Sequence, residues 1–366
     1  MINKYKINTG ASVKDYNKVS DWLSFEIPNK IKISSGKVDI GQHISTTLAL
    51  ICSRELGIDI NSIFVNKLNT DITPNEGITA SSLSVPNSGT AIRSASIIFK
   101  KNFLDFAAKS LNLNISIINL EDGVAKDPNS NASISFWDFS KTEEFLKLSI
   151  PEIIEIEDQK NFDHSSHVET KFINSIVKGE YKFLHDLRFD DMLHARIVRP
   201  PSYFHKFLSI NNAIHKYLKD HNLKLYIKNS FIAVLGNEEF EVIKSLNRIK
   251  NSIEWEQVNK LANDKIFNLI DQNSKDSLIV KRGGEAFHEN IPEIKSYNNV
   301  DHKTLTSEFN KPYLMHGSIG PSASCSFYKN GKFIIYSHSQ AIYALKSILS
   351  NVFNLNEKNI TCLLYT

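Results

Sequence analysis

The chain has 366 residues, too many for one typical core, and at about 100–200 residues per domain it predicts two or three domains. Hydrophobic residues make up 41% and charged residues 23%, values typical of globular proteins, which excludes a fibrous chain or one disordered throughout. The 43 basic residues are scattered among 40 acidic ones for a net charge of +3, so we expect no nucleic-acid partner.

The three cysteines, Cys52, Cys325 and Cys362, lie far apart and form no CxxC pair. This spacing argues against a zinc site, an iron–sulfur cluster or a disulfide framework, and it predicts a reducing, cytoplasmic compartment. The N-terminus has no apolar h-region, and no stretch approaches about 18 uninterrupted apolar residues. We therefore expect neither a signal peptide nor a membrane span.

The first elements alternate between strand and helix patterns. Residues 30–40 are typical of a strand with a glycine connection, and apolar residues at helical spacing then predict a helix from Ile44 to Gly57. Residues 58–66 predict a further strand. The segment 36–42 therefore delivers a glycine and a carboxamide to the start of a helix.

A long polar loop and a long helix follow. Residues 70–89 are rich in Thr, Ser, Asn, Pro and Gly, and a loop of this length inside a domain is usually functional or disordered. An apolar stripe from Ile92 to Leu111 predicts an amphipathic helix, with Ser88 and Gly89 as its cap. Both ends of the loop are thus fixed by ordered elements.

The second half of the chain predicts a small unit of helices and strands. An exposed linker at about 157–170 precedes it, and the region 259–300 after it is polar and mixed. Hydrophobic patterns in this unit give, in order, strand 192–198, helix 213–218, strand 231–235 and helix 240–253. After the polar region, a strand at 332–336 and a helix over 342–352 give one more strand-to-helix turn.

Four short motifs carry polar chemistry, and each has an ordinary structural interpretation beside the functional one. Gly41 and Gln42 could hold an anionic ligand through backbone amides and a carboxamide, or Gly41 could simply make a turn beside a solvated Gln42. The loop 73–84 could wrap a polar cofactor or lie on the surface. Motifs 315–322 and 337–340 place polar residues next to a strand, where open sheets hold ligands, although single histidines there are commonly structural.

His194, with Arg196 and Arg199 nearby, indicates either an anion site or a structural role in a strand, with equal weight. The chain has no P-loop, no GxGxxG fingerprint and no Gly-x-Ser-x-Gly elbow. An unrelated small-molecule enzyme would need its own nucleophile or metal cluster, and we find neither in the sequence.

Taken in order, these segments resemble the molybdopterin-binding large subunits of the xanthine dehydrogenase and aldehyde oxidase family, in particular the nicotinate dehydrogenase and isoquinoline 1-oxidoreductase branch. Residues 36–56 look like G-K-V-E-x-G-Q-G-x-x-T followed by a helix that ends in E-L, and residues 73–93 look like T-P-x-E-G-x-T-x-x-S-x-S-x-x-x-S-G-x-A-x-R. Residues 185–201 are similar to the start of an a/b hammerhead domain. Motifs 315–322 and 337–340 are similar to the start of a further cofactor-binding domain.

The resemblance implies an α+β fold and four segments. They are a molybdopterin-cofactor-binding-like domain at 1–157, a linker at 158–170, a hammerhead-like domain at 171–258, and the truncated start of a further molybdopterin-binding domain at 259–366.

The resemblance also implies a molybdenum-pterin cofactor, either molybdopterin or its cytosine dinucleotide form, with no Fe-S cluster or FAD on this chain. Its binding residues would be Gly41, Gln42, Ser82, Ser84 and Gln340, with Gln340 beside the molybdenum oxo or sulfido ligands and Gln42, Ser82 and Ser84 on the pterin or its phosphate. Ala80 and Ser81 would lie near the substrate pocket.

The reaction implied by the resemblance oxidises an N-heterocycle or aldehyde by inserting water-derived oxygen, with hydride transfer to Mo=S. The sequence departs from the family in two loops: His43 replaces the second Gly of G-Q-G, and Asp191 replaces a usual Gly. No residue matches the family's catalytic glutamate, so we expect no catalytic residue in this chain and no activity without further protein.

The expected partners are a chain carrying the C-terminal molybdopterin-binding half, a [2Fe-2S] small subunit and a small-molecule substrate. A cytochrome c is an optional further partner. The alternative hypothesis is a truncated remnant that folds or binds a partner chain without chemistry.

Overall fold

The part of the chain that the structure describes contains both helices and strands, in agreement with the expected mixture of the two. The structure is a computed structural model and describes residues 4–157, 168–259, 279–280, 286–287, 303, 305–318 and 320–364. The chain divides into two compact units: unit 1 combines residues 1–187 with 318–366, and unit 2 is residues 188–317. Most of the predicted linker, residues 158–167, lies outside the described residues.

Unit 1 is built around two long helices whose positions agree with the predicted ones. Helix α1 ends at Gly57, whose φ of 71° lets its N–H donate to the carbonyl of Ser53. The remaining helices of the N-terminal part are short. The helices described in this part are α1 (Ile44–Leu56), α2 (Thr90–Leu111), α3 (Phe136–Phe139), α4 (Glu143–Leu146) and α5 (Ile173–Val177).

Among the residues that the structure describes, the strands of this part form three small sheets. Two are antiparallel, β1 with β8 and β5-β6-β7, and the third has the order β2-β3-β4 with β3 and β4 parallel. Helix α1 is therefore the crossover between two parallel strands. The strands are β1 (Lys4–Asn8), β2 (Leu23–Ser24), β3 (Ile31–Ile33), β4 (Ile63–Val65), β5 (Asn119–Glu121), β6 (Val124–Lys126), β7 (Ser133–Ser135) and β8 (Ile153–Glu157).

The core of unit 1 is rich in aromatic rings that pack around α2. Phe99 on α2 stacks on Phe25 with ring centroids 4.4 Å apart, and Phe103 meets the edge of Phe136 at 4.6 Å. Both α2 residues are fully buried. Because such aromatic burial dominates core stability, α2 is held rigidly and fixes the end of the loop that precedes it.

Unit 2 contains the predicted small unit of helices and strands. A three-stranded antiparallel sheet, β11-β12-β9, packs against α7, and β10 pairs with β13. Its elements are β9 (His194–Val198), β10 (His205–Ile210), α6 (Ala213–Asp220), β11 (Lys224–Lys228), β12 (Phe231–Gly236), α7 (Glu239–Lys250), β13 (Ile253–Gln257), β14 (Ile279–Val280) and β15 (Ala286–Phe287).

The basic residues that open unit 2 have a structural role. Arg196 donates to Glu239 Oε1 at 2.8 Å, Arg188 lies 3.3 Å from Glu239 Oε2, and His194 Nδ1 lies 3.8 Å from the same oxygen. The Arg196 hydrogen bond, with the charges of His194 and Arg188, lowers the pKa of Glu239. This arrangement favours the structural interpretation of His194 and Arg196.

The C-terminal segment of the chain packs with unit 1. It consists of β16 (Ser324–Lys329), β17 (Lys332–Ser337), α8 (Ile342–Phe353) and β18 (Ile360–Leu364), with β17 and β18 parallel. Val38 and Leu68 share a buried core with Ile335, Ile342 and Cys362. The compact units thus divide the chain differently from the sequence-based segments, which set residues 259–366 apart.

An ion pair at this junction gives a pH prediction. Lys346 on α8 lies 3.0 Å from Asp71, and the hydroxyl of Thr361 on β18 also donates to Asp71. Partial burial raises the pKa of Asp71, but the Thr361 and Lys346 interactions outweigh it and leave the pKa below its usual value.

A lowered folded-state pKa means that the interaction contributes stability above the unfolded-state pKa of about 4, and that this contribution is lost as pH falls through the folded-state value. We expect acid to reduce the stability difference between the wild type and Asp71→Asn. Chemical denaturation from pH 7 to pH 2.5 measures it. A difference that stays constant into acid would contradict this account.

Candidate functional site

A pocket of about 480 Å³ in unit 1 brings together residues from three distant parts of the chain. The side chains that line it are all uncharged. The predicted residues Gln42, Ala80, Ser81, Ser82, Ser84 and Gln340 all line this pocket, whereas Gly41 does not. The other lining residues are Ile40, Ile44, Thr47, Thr79 and Val85.

The loop before α1 forms the first wall, and its glutamine has a fixed orientation. Gln42 Nε2 donates to the carbonyl of Val38 at 2.9 Å, and its Oε1 accepts from the N–H of Ile40 at 2.6 Å. A carbonyl at one end and an N–H at the other assign the amide oxygen and nitrogen without ambiguity. The Gln42 side chain is therefore organised before any ligand binds.

The start of α1 already holds a carboxylate of the protein. Asp39 Oδ1 accepts from the N–H groups of Gly41 and His43 at 3.3 and 3.2 Å, and Oδ2 accepts from that of Ser45 at 3.4 Å. The first turn of a helix is favourable for an anion, and here that position belongs to Asp39. A ligand anion would have to compete with it, so Gln42, rather than this helix start, is the group available at this wall.

The loop between Thr79 and α2 forms the second wall in an unusual backbone conformation. Ser81 and Ser82 are both left-handed, with φ of 56° and 57°. Such a conformation costs a non-glycine residue about 1–2 kcal/mol, so two in succession require support from the surrounding structure. Ser84 follows them and leads into the π-turn Val85–Gly89 at the start of α2.

Gln340 forms the third wall, between β17 and α8. Its Nε2 donates to the carbonyl of Thr79 at 3.0 Å, and the N–H of Thr79 donates to the carbonyl of Gln340 at 3.0 Å. The second wall and the third wall are therefore joined by a pair of hydrogen bonds. Motif 337–340 thus reaches the same pocket as motif 36–42.

A hydrogen-bonded carboxylate supports the second wall from behind. Glu76 Oε2 accepts from the Gly36 N–H at 2.8 Å and from the hydroxyls of Ser88 and Ser35 at 2.5 and 3.2 Å, while Oε1 accepts from Ser12 at 2.7 Å. These contacts fasten the loop to the segment after β3 and to the turn before α2.

The Glu76 contacts correct two sequence predictions. Ser88 was expected to cap α2, but its hydroxyl binds Glu76 instead, and the helix has no side-chain cap. The strand predicted over 30–40 covers only Ile31–Ile33, because Ser35 and Gly36 leave the sheet to bind Glu76. Glu76 belongs to the polar motif 73–84, and no local pattern in the sequence indicates its supporting role.

A buried lysine completes this support. The side chain of Lys37 is almost fully buried, and its Nζ donates to the backbone carbonyls of Glu76 at 2.7 Å and Ile78 at 3.3 Å. Both carbonyls belong to the loop that leads to the pocket. Lys37 therefore fixes the loop backbone and is not a charged group of the pocket.

His43 occupies a left-handed position that favours glycine, and this gives a stability prediction. Its φ is 56° and it is the N-cap of α1. We expect His43→Gly to raise the free energy of unfolding by up to about 1 kcal/mol and His43→Val to lower it by about 1 kcal/mol or more. Denaturant unfolding of the two variants measures this, and equal effects from glycine and valine would contradict it.

The buried cysteine thiols do not supply a nucleophile. Burial raises the pKa of Cys52 to about 12 and that of Cys362 to about 11, so neither thiol ionises at neutral pH.

Within the part of the chain that the structure describes, no three His, Cys, Asp or Glu side chains are grouped to hold a metal ion. In the same residues, no helix is long and apolar enough to cross a membrane.

Residues 1–175 match the family described as "Molybdopterin cofactor-binding domain". A nicotinate dehydrogenase subunit from Pseudomonas putida is 25% identical over 345 residues, covering 89% of this chain and 27% of the relative. The membrane-bound aldehyde dehydrogenase [pyrroloquinoline-quinone] of Gluconacetobacter polyoxogenes is 22% identical, covering 87% of this chain and 42% of that protein.

The chain thus spans between about a quarter and two fifths of the length of these relatives. Among solved structures, CO dehydrogenase from Oligotropha carboxidovorans aligns with 43% of this chain and 21% of its own chain at 18% identity and a TM-score of 0.29. Quinoline 2-oxidoreductase from Pseudomonas putida 86 covers 43% of this chain and 22% of its own at 15% identity and a TM-score of 0.27.

Proposed function

Because the chain belongs to the molybdopterin-binding large subunits of the xanthine dehydrogenase and aldehyde oxidase family, we propose that its unit 1 pocket binds the pterin part of a molybdenum-pterin cofactor. The observation that carries this proposal is the convergence of Gln42, Gln340 and the serine loop on one pocket. These residues come from motifs that are far apart in the sequence.

The residues present fit such a group. Each glutamine amide nitrogen has a second proton that no hydrogen bond among the described residues uses, so each can donate to a heterocycle. The hydroxyls of Ser81, Ser82 and Ser84 can donate or accept, and Ile40 and Val85 offer apolar contact to a flat ring. A few oriented polar groups beside apolar ones are typical of cofactor pockets.

The roles proposed for single residues follow the family. Gln340 would lie beside the oxo or sulfido ligands of molybdenum, Gln42, Ser82 and Ser84 would bind the pterin or its phosphate, and Gly41 would shape their loop. Ala80 and Ser81 would face the substrate. Among the described residues no Lys or Arg lines the pocket, so a phosphate there would be bound by hydroxyl and amide donors.

When bound, the cofactor supplies the oxidation of an N-heterocycle or aldehyde with oxygen taken from water. The pocket residues of this chain bind and orient the cofactor, and none of them is a carboxylate that could act as the base. We therefore place the base on further protein, together with a [2Fe-2S] subunit and an optional cytochrome c as electron carriers. Molybdopterin and its cytosine dinucleotide form both suit the pocket, since the pterin part is common to the two.

For unit 2 we propose the a/b hammerhead domain. The sheet β11-β12-β9 packed against α7, together with the β10 and β13 pair, supports this assignment. The Arg196 and Glu239 ion pair would then be part of its scaffold. A remnant that folds or binds a partner without chemistry is the alternative, and the uncharged lining of the pocket is compatible with it.

Alanine variants of the two glutamines test the proposal. We expect Gln42→Ala and Gln340→Ala each to lower the pterin and molybdenum retained per chain by about fivefold or more, because each removes an oriented hydrogen-bond donor. Gln257→Ala, at an exposed position on β13, is the matched control and should retain the wild-type amount. If all three variants retain equal amounts of pterin and molybdenum, this pocket is not where the cofactor binds.

A further inference from the structure

We propose that Thr79 is a positioning residue that holds the Gln42 and Gln340 amides at a fixed separation across the pocket, an inference that rests on the proposed function. Thr79 lies on the second wall and is only 4% exposed. Its hydroxyl and both of its backbone polar groups have partners on the other two walls. One buried residue therefore connects all three walls.

The first connection runs from Thr79 to Gln42. The N–H of Val38 donates to Thr79 Oγ1 at 2.8 Å, and the carbonyl of Val38 accepts from Gln42 Nε2 at 2.9 Å. Val38 is fully buried, so water cannot replace the threonine hydroxyl as the acceptor. Loss of that hydroxyl leaves the Val38 N–H without a partner and loosens the Val38 backbone, whose carbonyl orients Gln42.

The second connection runs from Thr79 to Gln340 through backbone atoms. The Thr79 carbonyl accepts from Gln340 Nε2 at 3.0 Å, and the Thr79 N–H donates to the Gln340 carbonyl at 3.0 Å. The Thr79 side chain does not touch Gln340 in these bonds, but its bond to Val38 fixes the Thr79 backbone that does. A change confined to the hydroxyl should therefore loosen both amides.

Preorganised donors bind a ligand more tightly than mobile ones, because binding no longer has to order them. With the Thr79 hydroxyl present, both amides meet the cofactor in one arrangement. Without it, the same amides remain in the pocket but sample several arrangements. The expected effect is on cofactor affinity, with a smaller effect on folding.

Two substitutions separate the hydroxyl from the shape of the side chain. Thr79→Val keeps the shape and removes the hydroxyl, while Thr79→Ser keeps the hydroxyl. In protein recovered with its native partners, we expect Thr79→Val to retain about tenfold less pterin and molybdenum under dialysis and Thr79→Ser to retain the wild-type amount. Amide hydrogen exchange at Val38 should accelerate in the valine variant alone.

Thr73→Val is the matched control within the same loop. Thr73 is also buried, and its hydroxyl donates to the Asn69 carbonyl at 2.9 Å and lies 2.9 Å from the Tyr343 hydroxyl, but it does not line the pocket. We expect this variant to melt at a lower temperature and still retain the cofactor. A general effect of losing a buried hydroxyl would lower retention in both valine variants.

The outcomes separate this inference from the proposed function. Selective loss in Thr79→Val with rescue by serine supports the positioning role. Full retention by Thr79→Val, or equal loss in Thr73→Val, overturns that role and leaves the proposed function standing. A wild-type protein that holds neither pterin nor molybdenum overturns the proposed function and this inference with it.

Discussion

Replacing Gly36 by alanine is expected to lower the free energy of unfolding of unit 1 by about 3 kcal/mol or more and to dislocate the pocket loop. A Cβ at this position would lie 2.0 Å from the carbonyl oxygen of Pro74 and 2.8 Å from the nitrogen of Glu76. Both are backbone atoms, so no side-chain rotation can relieve the clash. The loop at Pro74 and Glu76 must instead move away from Gly36, which breaks the hydrogen bond from the Gly36 N–H to the Glu76 carboxylate.

Gly57→Ala is the matched control for this prediction. Gly57 has a φ of +71°, and an added Cβ there would lie within 4 Å of no described atom. Alanine at this position therefore destabilises the protein only through the strain of its left-handed backbone. That strain costs about 1 kcal/mol. Denaturant unfolding of both variants measures the difference, and equal destabilisation would show that close packing at Gly36 is unimportant.

The second large effect is expected at Glu76. Glu76→Ala removes the acceptor for the N–H of Gly36 and for the hydroxyls of Ser35 and Ser88, both of which are buried. Leaving buried donors without an acceptor costs about 1–3 kcal/mol each, less what local rearrangement recovers, so we expect a loss of about 3 kcal/mol. The loop that carries Thr79 and Ser82 should also become mobile.

Glu76→Gln tests whether the hydrogen bonds or the charge matter. A glutamine oxygen can occupy the Oε2 position and accept from Gly36, while its amide nitrogen faces the Ser12 hydroxyl, which can accept as well as donate. We expect glutamine to lose less than half of what alanine loses in the same denaturation experiment. A glutamine variant as unstable as the alanine variant would mean that the negative charge itself is required.

The regular elements of the protein could be predicted from sequence because their signals are local. The apolar stripe of α2, the Gly57 end of α1 and the pattern of β17 and α8 are each contained within one segment. The polar loop 70–89 was recognisable in the same way. Local patterns determine such elements wherever tertiary contacts do not override them.

The supports of the pocket could not be predicted because they depend on residues far apart in sequence. Glu76 binds Ser12 and Gly36, and Thr79 binds Gln340, contacts that no periodicity encodes. The helix cap predicted at Ser88 was wrong for the same reason, since the Ser88 hydroxyl donates to the distant Glu76 carboxylate. Local rules fail most readily where residues are recruited to a site.

The grouping of Gln42 with Gln340 was predicted by family resemblance and not by residue chemistry. Each motif alone is as compatible with a surface turn as with a ligand site, and the structure places both glutamines in one pocket. Their roles toward a cofactor stay predictions. The Asp39 carboxylate at the start of α1 was not foreseen, although an acidic residue near a helix start was visible in the sequence.

Cofactor binding by the unit 1 pocket is tested most directly by the molybdenum and pterin content of this chain when it is recovered from native cells through a tag. We expect about one molybdenum and one pterin per chain, together with a co-purifying iron–sulfur protein. Chain recovered intact and folded, with neither molybdenum nor pterin, would contradict a cofactor-binding pocket and leave a protein that folds or binds a partner without chemistry.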